Sequence, residues 1–195
     1  LLGQLIAWVS TFLVIRMLNP SDYGLVAMTG VVLTFLDLFK GWGFAGSLVR
    51  DEKTDPHKIG QAFAMLLLMN GALAAIQVAA APLAANYFHQ PMVADLLRVQ
   101  TLIFLANPFA LVSEVLLSRD LRFRPQAIVN LVAAILGAAA ALIMAATGFG
   151  VWTLVFAPVI GFWVRAIGLA LVVRLKPIPS FDFRGTGDMV TFGMT

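Results

Sequence analysis

The sequence predicts an all-α, polytopic membrane bundle of six spanning helices, and three observations carry that reading. The chain is 61% hydrophobic and only 12% charged, with a mean hydropathy of +0.92, whereas soluble domains are about a quarter charged. No soluble fold of 195 residues has enough interior to hide so much apolar surface. Second, long apolar runs recur: Val99 to Leu117 holds Glu114 as its only charge, and Ala127 to Thr147 holds none. At about 1.5 Å per residue, each can cross the roughly 30 Å hydrocarbon layer as a helix. Third, the cations alternate by side. Lys40, Arg50, Lys53, Lys58, Arg119, Arg122, Arg124, Arg174, Lys176 and Arg184 fall in the second, fourth and sixth connections, against Arg16 and Arg98 on the other side. That bias places the basic connections and the N-terminus in the cytoplasm.

Taken in order, Leu1 to Leu18 reads as the end of a first spanning helix, with Arg16 at its exit. The turn formers Asn19 to Gly24 follow, with Pro20 ending the helix and Ser21 or Asp22 capping the next. Helix two covers about Gly24 to Phe39 and includes Asp37. Lys40 to Lys58 is the longest polar connection, and Trp42 and Phe44 within it suit the headgroup level. Helix three covers Ile59 to Phe88, helix four about Arg98 to Leu117 with Pro108 inside, and helix five Ala127 to Thr147. Helix six runs from Val151 to about Leu175 with Pro158 and Arg165 inside. Residues 1–175 thus form one six-helix lobe, 176–187 a cytoplasmic linker, and 188–195 the entrance to a seventh helix, so the chain reads as a piece of a longer membrane protein.

Small residues recur every four positions at Ala133, Gly137, Ala141 and Ala145, and again at Gly71, Ala75 and Ala79. In lipid, where water gives helices no hydrophobic drive to associate, such stripes allow close backbone approach. Both are expected at helix–helix contacts.

Three short patterns occur in a telling order: Leu18-Asn19-Pro20-Ser21-Asp22-Tyr23-Gly24 after helix one, Leu117-Ser118-Arg119-Asp120-Leu121-Arg122-Phe123-Arg124 after helix four, and Gly148-Phe149-Gly150-Val151-Trp152 opening helix six. With this topology the chain resembles the polysaccharide transporter branch of the multidrug/oligosaccharidyl-lipid/polysaccharide exporter superfamily. These are the bacterial flippases for lipid-linked O-antigen and exopolysaccharide units. The resemblance implies a MATE-like transporter of two helical lobes in the inner membrane, this chain being the N-terminal lobe. It implies translocation of undecaprenyl-pyrophosphate-linked oligosaccharide by alternating access, with no covalent chemistry and no cofactor beyond H⁺ or Na⁺ coupling. Membrane lipids, a glycan polymerase and a chain-length protein are the implied partners. Relatives often carry an acidic residue just after helix two, where this chain has Gly41 or Trp42, so no role passes to Asp37 from the resemblance.

The residues that stand out chemically are charges at membrane depth. A charge near the centre of a lone helix costs about 2.5–3.5 kcal/mol on insertion scales, so it needs a partner, water or a purpose. Arg165, Asp37 and Glu114 meet that description, all in the cytoplasmic half of the bilayer by their helical rise. Arg165 is the candidate for the substrate's pyrophosphate, because a guanidinium stays charged and binds phosphate oxygens in pairs. The competing reading makes it a structural partner of Asp37 or Glu114. Those two carboxylates are candidates for ion coupling or for a salt bridge. Pro108 and Pro158, which remove backbone hydrogen bonds inside their helices, are candidate hinges or static kinks. The Arg119, Arg122 and Arg124 group orients the chain and stands ready to collect anionic lipid.

Other classes fit less well. Cations confined to short connections argue against nucleic acid as a partner. His57 and His89 stand apart without metal-ligand spacing, no cysteine is present, and Gly41, Gly43 and Gly46 lack the strand and helix context of a nucleotide loop. A multidrug or cation antiporter of the same superfamily is the alternative transporter. A membrane-embedded glycan polymerase or ligase is the enzymatic one, and the short outer connections argue against it.

Overall fold

A computed structural model of the chain describes residues 2–40 and 56–173, without the side chains of residues 2, 37–40 and 56–58. Within them the chain forms six helices: α1 (Leu2–Met17), α2 (Pro20–Lys40), α3 (Pro56–Phe88), α4 (Met92–Arg119), α5 (Phe123–Ala146) and α6 (Val151–Val172). Four of them, α3 to α6, are long and apolar enough to cross a membrane, and α1 and α2 are shorter apolar helices. Asp37's side chain, the glycine-aromatic connection, the linker and the entrance to a seventh helix lie outside the described residues.

The turns explain the element boundaries. Pro20 begins α2 rather than interrupting the chain before it, since a first-turn position needs no N–H. The Asp22 carboxylate reaches back to accept a hydrogen bond from the Asn19 backbone N–H at 3.3 Å, a capping-box arrangement. Helices α3, α4 and α5 all end in the same way. One residue turns left-handed, His89 at φ 55°, Leu121 at φ 53° and Gly148 at φ 80°. The next N–H then returns to a carbonyl five residues back: Gln90 to Ala85 at 3.0 Å, Arg122 to Leu117 at 2.9 Å, Phe149 to Met144 at 3.1 Å. This is the Schellman closure, and it reverses the chain within a few residues.

That closure corrects two expectations. Helix α4 starts at Met92, six residues before the expected Arg98, because Pro91 supplies its N-cap and Asp95 favours its first turn. The basic stretch is no nine-residue loop either. Arg119 belongs to the last turn of α4 and Arg124 to the first of α5, leaving Asp120 to Arg122 as the connection.

Helix α1 packs on α5, α5 on α6, α6 on α4 and α4 on α3, while α2 lies against α3, α4 and α6. The main core joins α3, α4 and α6 through Phe63, Leu66, Val112, Leu116 and Leu169. The α5 stripe behaves as expected. A Cβ on Gly137 would meet the Gly161 backbone at 3.6 Å, and Ala133 and Ala145 are buried. The α3 stripe does not. Ala75 and Ala79 are exposed, and a Cβ on Gly71 meets nothing within 4 Å. Helix α3 instead buries Leu73, Ala74, Gln77, Ala81 and Ala84, the neighbouring face.

Candidate functional site

Short connections place the ends of α4 and α6 and the start of α5 at one end of the bundle, here the basic end. Three helices converge there. The Arg165 side chain of α6 donates from Nη2 to Glu114 Oε2 of α4 at 2.6 Å and from Nε to Asn130 Oδ1 of α5 at 3.0 Å. Gln126, in the first turn of α5, donates from Nε2 to the other Glu114 oxygen at 2.9 Å. Two of the three expected charges at depth therefore meet, and two amides bracket the pair. The two charged side chains keep about a third of their surface exposed, 30% for Arg165 and 33% for Glu114. Such a pair is only partly desolvated, so its attraction is moderated by solvent. Arg165 Nη1 makes no hydrogen bond among the described residues.

Arg165 also lines a cavity of about 550 Å³ between α1, α5 and α6. Its walls are mainly small: Ala134, Gly137, Ala138 and Ala141 on α5, Ala157 and Gly161 on α6. The far end carries Ser10, Tyr23 and Thr153. The Tyr23 hydroxyl and Thr153 Oγ1 are buried without a hydrogen-bond partner among the described residues.

The remaining candidates are scattered. Pro158 lines the cavity, whereas Pro108 is buried within α4. Arg122 donates from Nη1 to the Val172 carbonyl at 3.4 Å, a long bond that ties the basic turn to the end of α6. Arg124 is exposed. No group of three or more potential metal-ligating side chains occurs among the described residues.

Reading charge alone misses a second polar feature. Asn107 donates to Asn70 Oδ1 at 3.1 Å, Gln77 to the Leu97 carbonyl at 2.7 Å, and Gln100 to Thr29 Oγ1 at 3.2 Å. Gln77 Oε1 and Gln100 Oε1 are buried without a partner among the described residues. The sequence does contain a signal for this layer. Asn70 and Gln77 lie seven residues apart, as do Gln100 and Asn107, which is two helical turns and one face.

Comparison with known proteins adds the lineage. The family described as "Polysaccharide biosynthesis protein" matches residues 13–195. The chain is 32% identical over 165 residues to the succinoglycan biosynthesis transport protein ExoT of Rhizobium meliloti (strain 1021), covering 83% of this chain and 33% of that protein. It thus spans about a third of the length of this relative. No solved structure matches. The family match extends over nearly the whole chain and agrees with the resemblance carried by the three short motifs: the chain belongs to the polysaccharide biosynthesis protein family.

Proposed function

We propose that this chain is one lobe of a bacterial inner-membrane exporter that moves lipid-linked oligosaccharide, an O-antigen or exopolysaccharide unit on undecaprenyl pyrophosphate, by alternating access. The basic end faces the cytoplasm in this reading. The observation that carries it is the Arg165 guanidinium at the basic end of an otherwise apolar cavity, held by Asn130 and Glu114 yet with Nη1 uncommitted among the described residues. An arginine oriented on two of its nitrogens and open on the third is prepared for an anionic headgroup. The ExoT likeness supports a polysaccharide cargo.

Glu114 then has two roles. It fixes the guanidinium, and it competes with incoming phosphate for Nη2. Its contact with Arg165 makes Glu114 the carboxylate placed to couple that arginine to H⁺ or Na⁺ in our reading. A cationic-drug antiporter is disfavoured, because the charge at the cavity end has the wrong sign. The protein performs transport without covalent chemistry.

The test is glycan export by the full-length protein in a strain lacking its own exporter, at matched membrane abundance. Losing one charge-assisted phosphate contact, about 1.5–3 kcal/mol, lowers export by about tenfold or more in Arg165→Gln. Arg165→Lys retains part of it, and Glu114→Gln, which still accepts a hydrogen bond, reduces export less. Unchanged export by Arg165→Gln overturns the reading.

A further inference from the structure

The cavity has a direction. Its lining runs from Asn130 to Ala141 on α5 and from Thr153 to Arg165 on α6, about 17–18 Å along each helix at 1.5 Å per residue. Charge sits only at the basic end. Beyond it the walls are Ala, Gly, Val, Leu, Phe and Pro for most of the length, and among the described lining residues the hydroxyls gather at the far end. The α5 and α6 backbones that show between these small residues have most of their polar groups committed within the helices, the Leu154 carbonyl opposite Pro158 being the exception, so the exposed wall is mainly hydrocarbon.

We propose that this cavity seats the phosphate-proximal part of the polyprenyl tail of the lipid-linked cargo, with the phosphate nearest the tail on Arg165. The proposal rests on the reading above, in which Arg165 meets the phosphate, and it adds the place of the tail. A lipid in the leaflet at the basic end carries its phosphate at the interface and its chain toward the bilayer midplane. The cavity offers a cation and then an apolar trough in that same order. Its volume of about 550 Å³, within the range of small-molecule pockets of about 300–1,000 Å³, takes the first few isoprene units, and the rest of the long chain continues into the lipid. A sugar in the same space would press its hydroxyls against alanine methyls and find few partners there, an arrangement that burial of polar groups disfavours. The sugar therefore stays on the aqueous side of Arg165 while the tail occupies the lobe.

The experiment measures binding to the full-length protein in phosphatidylcholine nanodiscs, with undecaprenyl phosphate and a water-soluble sugar diphosphate as probes. Undecaprenyl phosphate is expected to bind, and the soluble sugar diphosphate to compete at least about tenfold less well, since it lacks the buried chain. Ala138→Phe, which fills the trough, weakens undecaprenyl phosphate by about tenfold or more. Ala134→Leu is the second, milder blocking variant. Equal binding of the two probes, or a folded Ala138→Phe and Ala134→Leu that both bind normally, overturns the tail seat. If Arg165→Gln weakens binding in that same series, the exporter reading survives without it. Blocking variants that weaken binding while Arg165→Gln does not would keep the tail in the cavity and overturn the phosphate contact.

Discussion

The two sides of this helical bundle use the same residue vocabulary to opposite ends. On the side of α2, α3 and α4, large side chains and amides fill the interior. Leu97 is fully buried, Phe104 is 1% exposed, and Asn70 meets Asn107 across the helix boundary. On the side of α1, α5 and α6, alanine and glycine line the interior, and space remains. The contrast is plain in the most apolar stretch of each helix, 56% of which is buried in α4 and 6% in α5. Apolar composition therefore does not decide whether a membrane helix is packed or open. Side-chain volume at the inward positions decides it, because in lipid the association of helices depends on contact rather than on expulsion of water.

Substitutions can break or sharpen that contrast. The largest effect is expected on the filled side, where Phe104→Ala leaves a void that the core cannot close. It should lower unfolding stability by about 3–5 kcal/mol, read from thermal or denaturant unfolding in detergent. Ala138→Leu on the open side is the control, and enters existing space with a change under about 1 kcal/mol. Comparable losses in the two variants would erase the distinction.

Next comes the amide pair. Asn70→Leu leaves Asn107 without its partner and should cost about 1–3 kcal/mol, while the double change to leucine recovers part of it, because an unsatisfied buried group is worse than none. A third test concerns glycines. A Cβ on Gly168 would come within 2.7 Å of Val129 Cγ1, whereas one on Gly137 meets ordinary contacts of 3.6–3.7 Å. Gly168→Ala should therefore lose about 1–2 kcal/mol and Gly137→Ala almost nothing, a ranking that stability measurements on the two variants can reverse.

The smallest effect should be a gain. Leu121 holds a left-handed conformation and is 75% exposed. Leu121→Gly removes the steric penalty at little loss of packing and should stabilise by up to about 1 kcal/mol. A drop in stability would mean that the Leu121 side chain has a contact elsewhere in the assembled protein.

Much of this was legible from the residues. Apolar runs and punctuating turns placed all six helices, since a chain in lipid must satisfy its backbone hydrogen bonds internally and the helix is the local way to do so. The cost of charge at depth singles out Arg165 and Glu114, which the structure pairs, together with Asp37, whose side chain lies outside the described residues. Boundaries were less legible where a turn used an unexpected residue. Leu121 and His89 both adopt the conformation that glycine usually supplies, so the turns on either side of α4 are tighter than their composition implies.

By itself the sequence determined the class of the molecule, the alternation of its cations along the chain and the short list of costly charges. All of these follow from one-dimensional quantities, namely hydropathy, length and spacing. Tertiary structure alone decided which carboxylate faces Arg165, which small-residue stripe makes a contact, and where the space remains. Pairing across helices depends on their rotation and neighbours, and neither is written in the period of a single helix. The α3 stripe and the α5 stripe are alike in spacing, yet only α5 brings its small residues against another helix, because only there does a second small-residue face, Ala157 and Gly161 of α6, stand opposite.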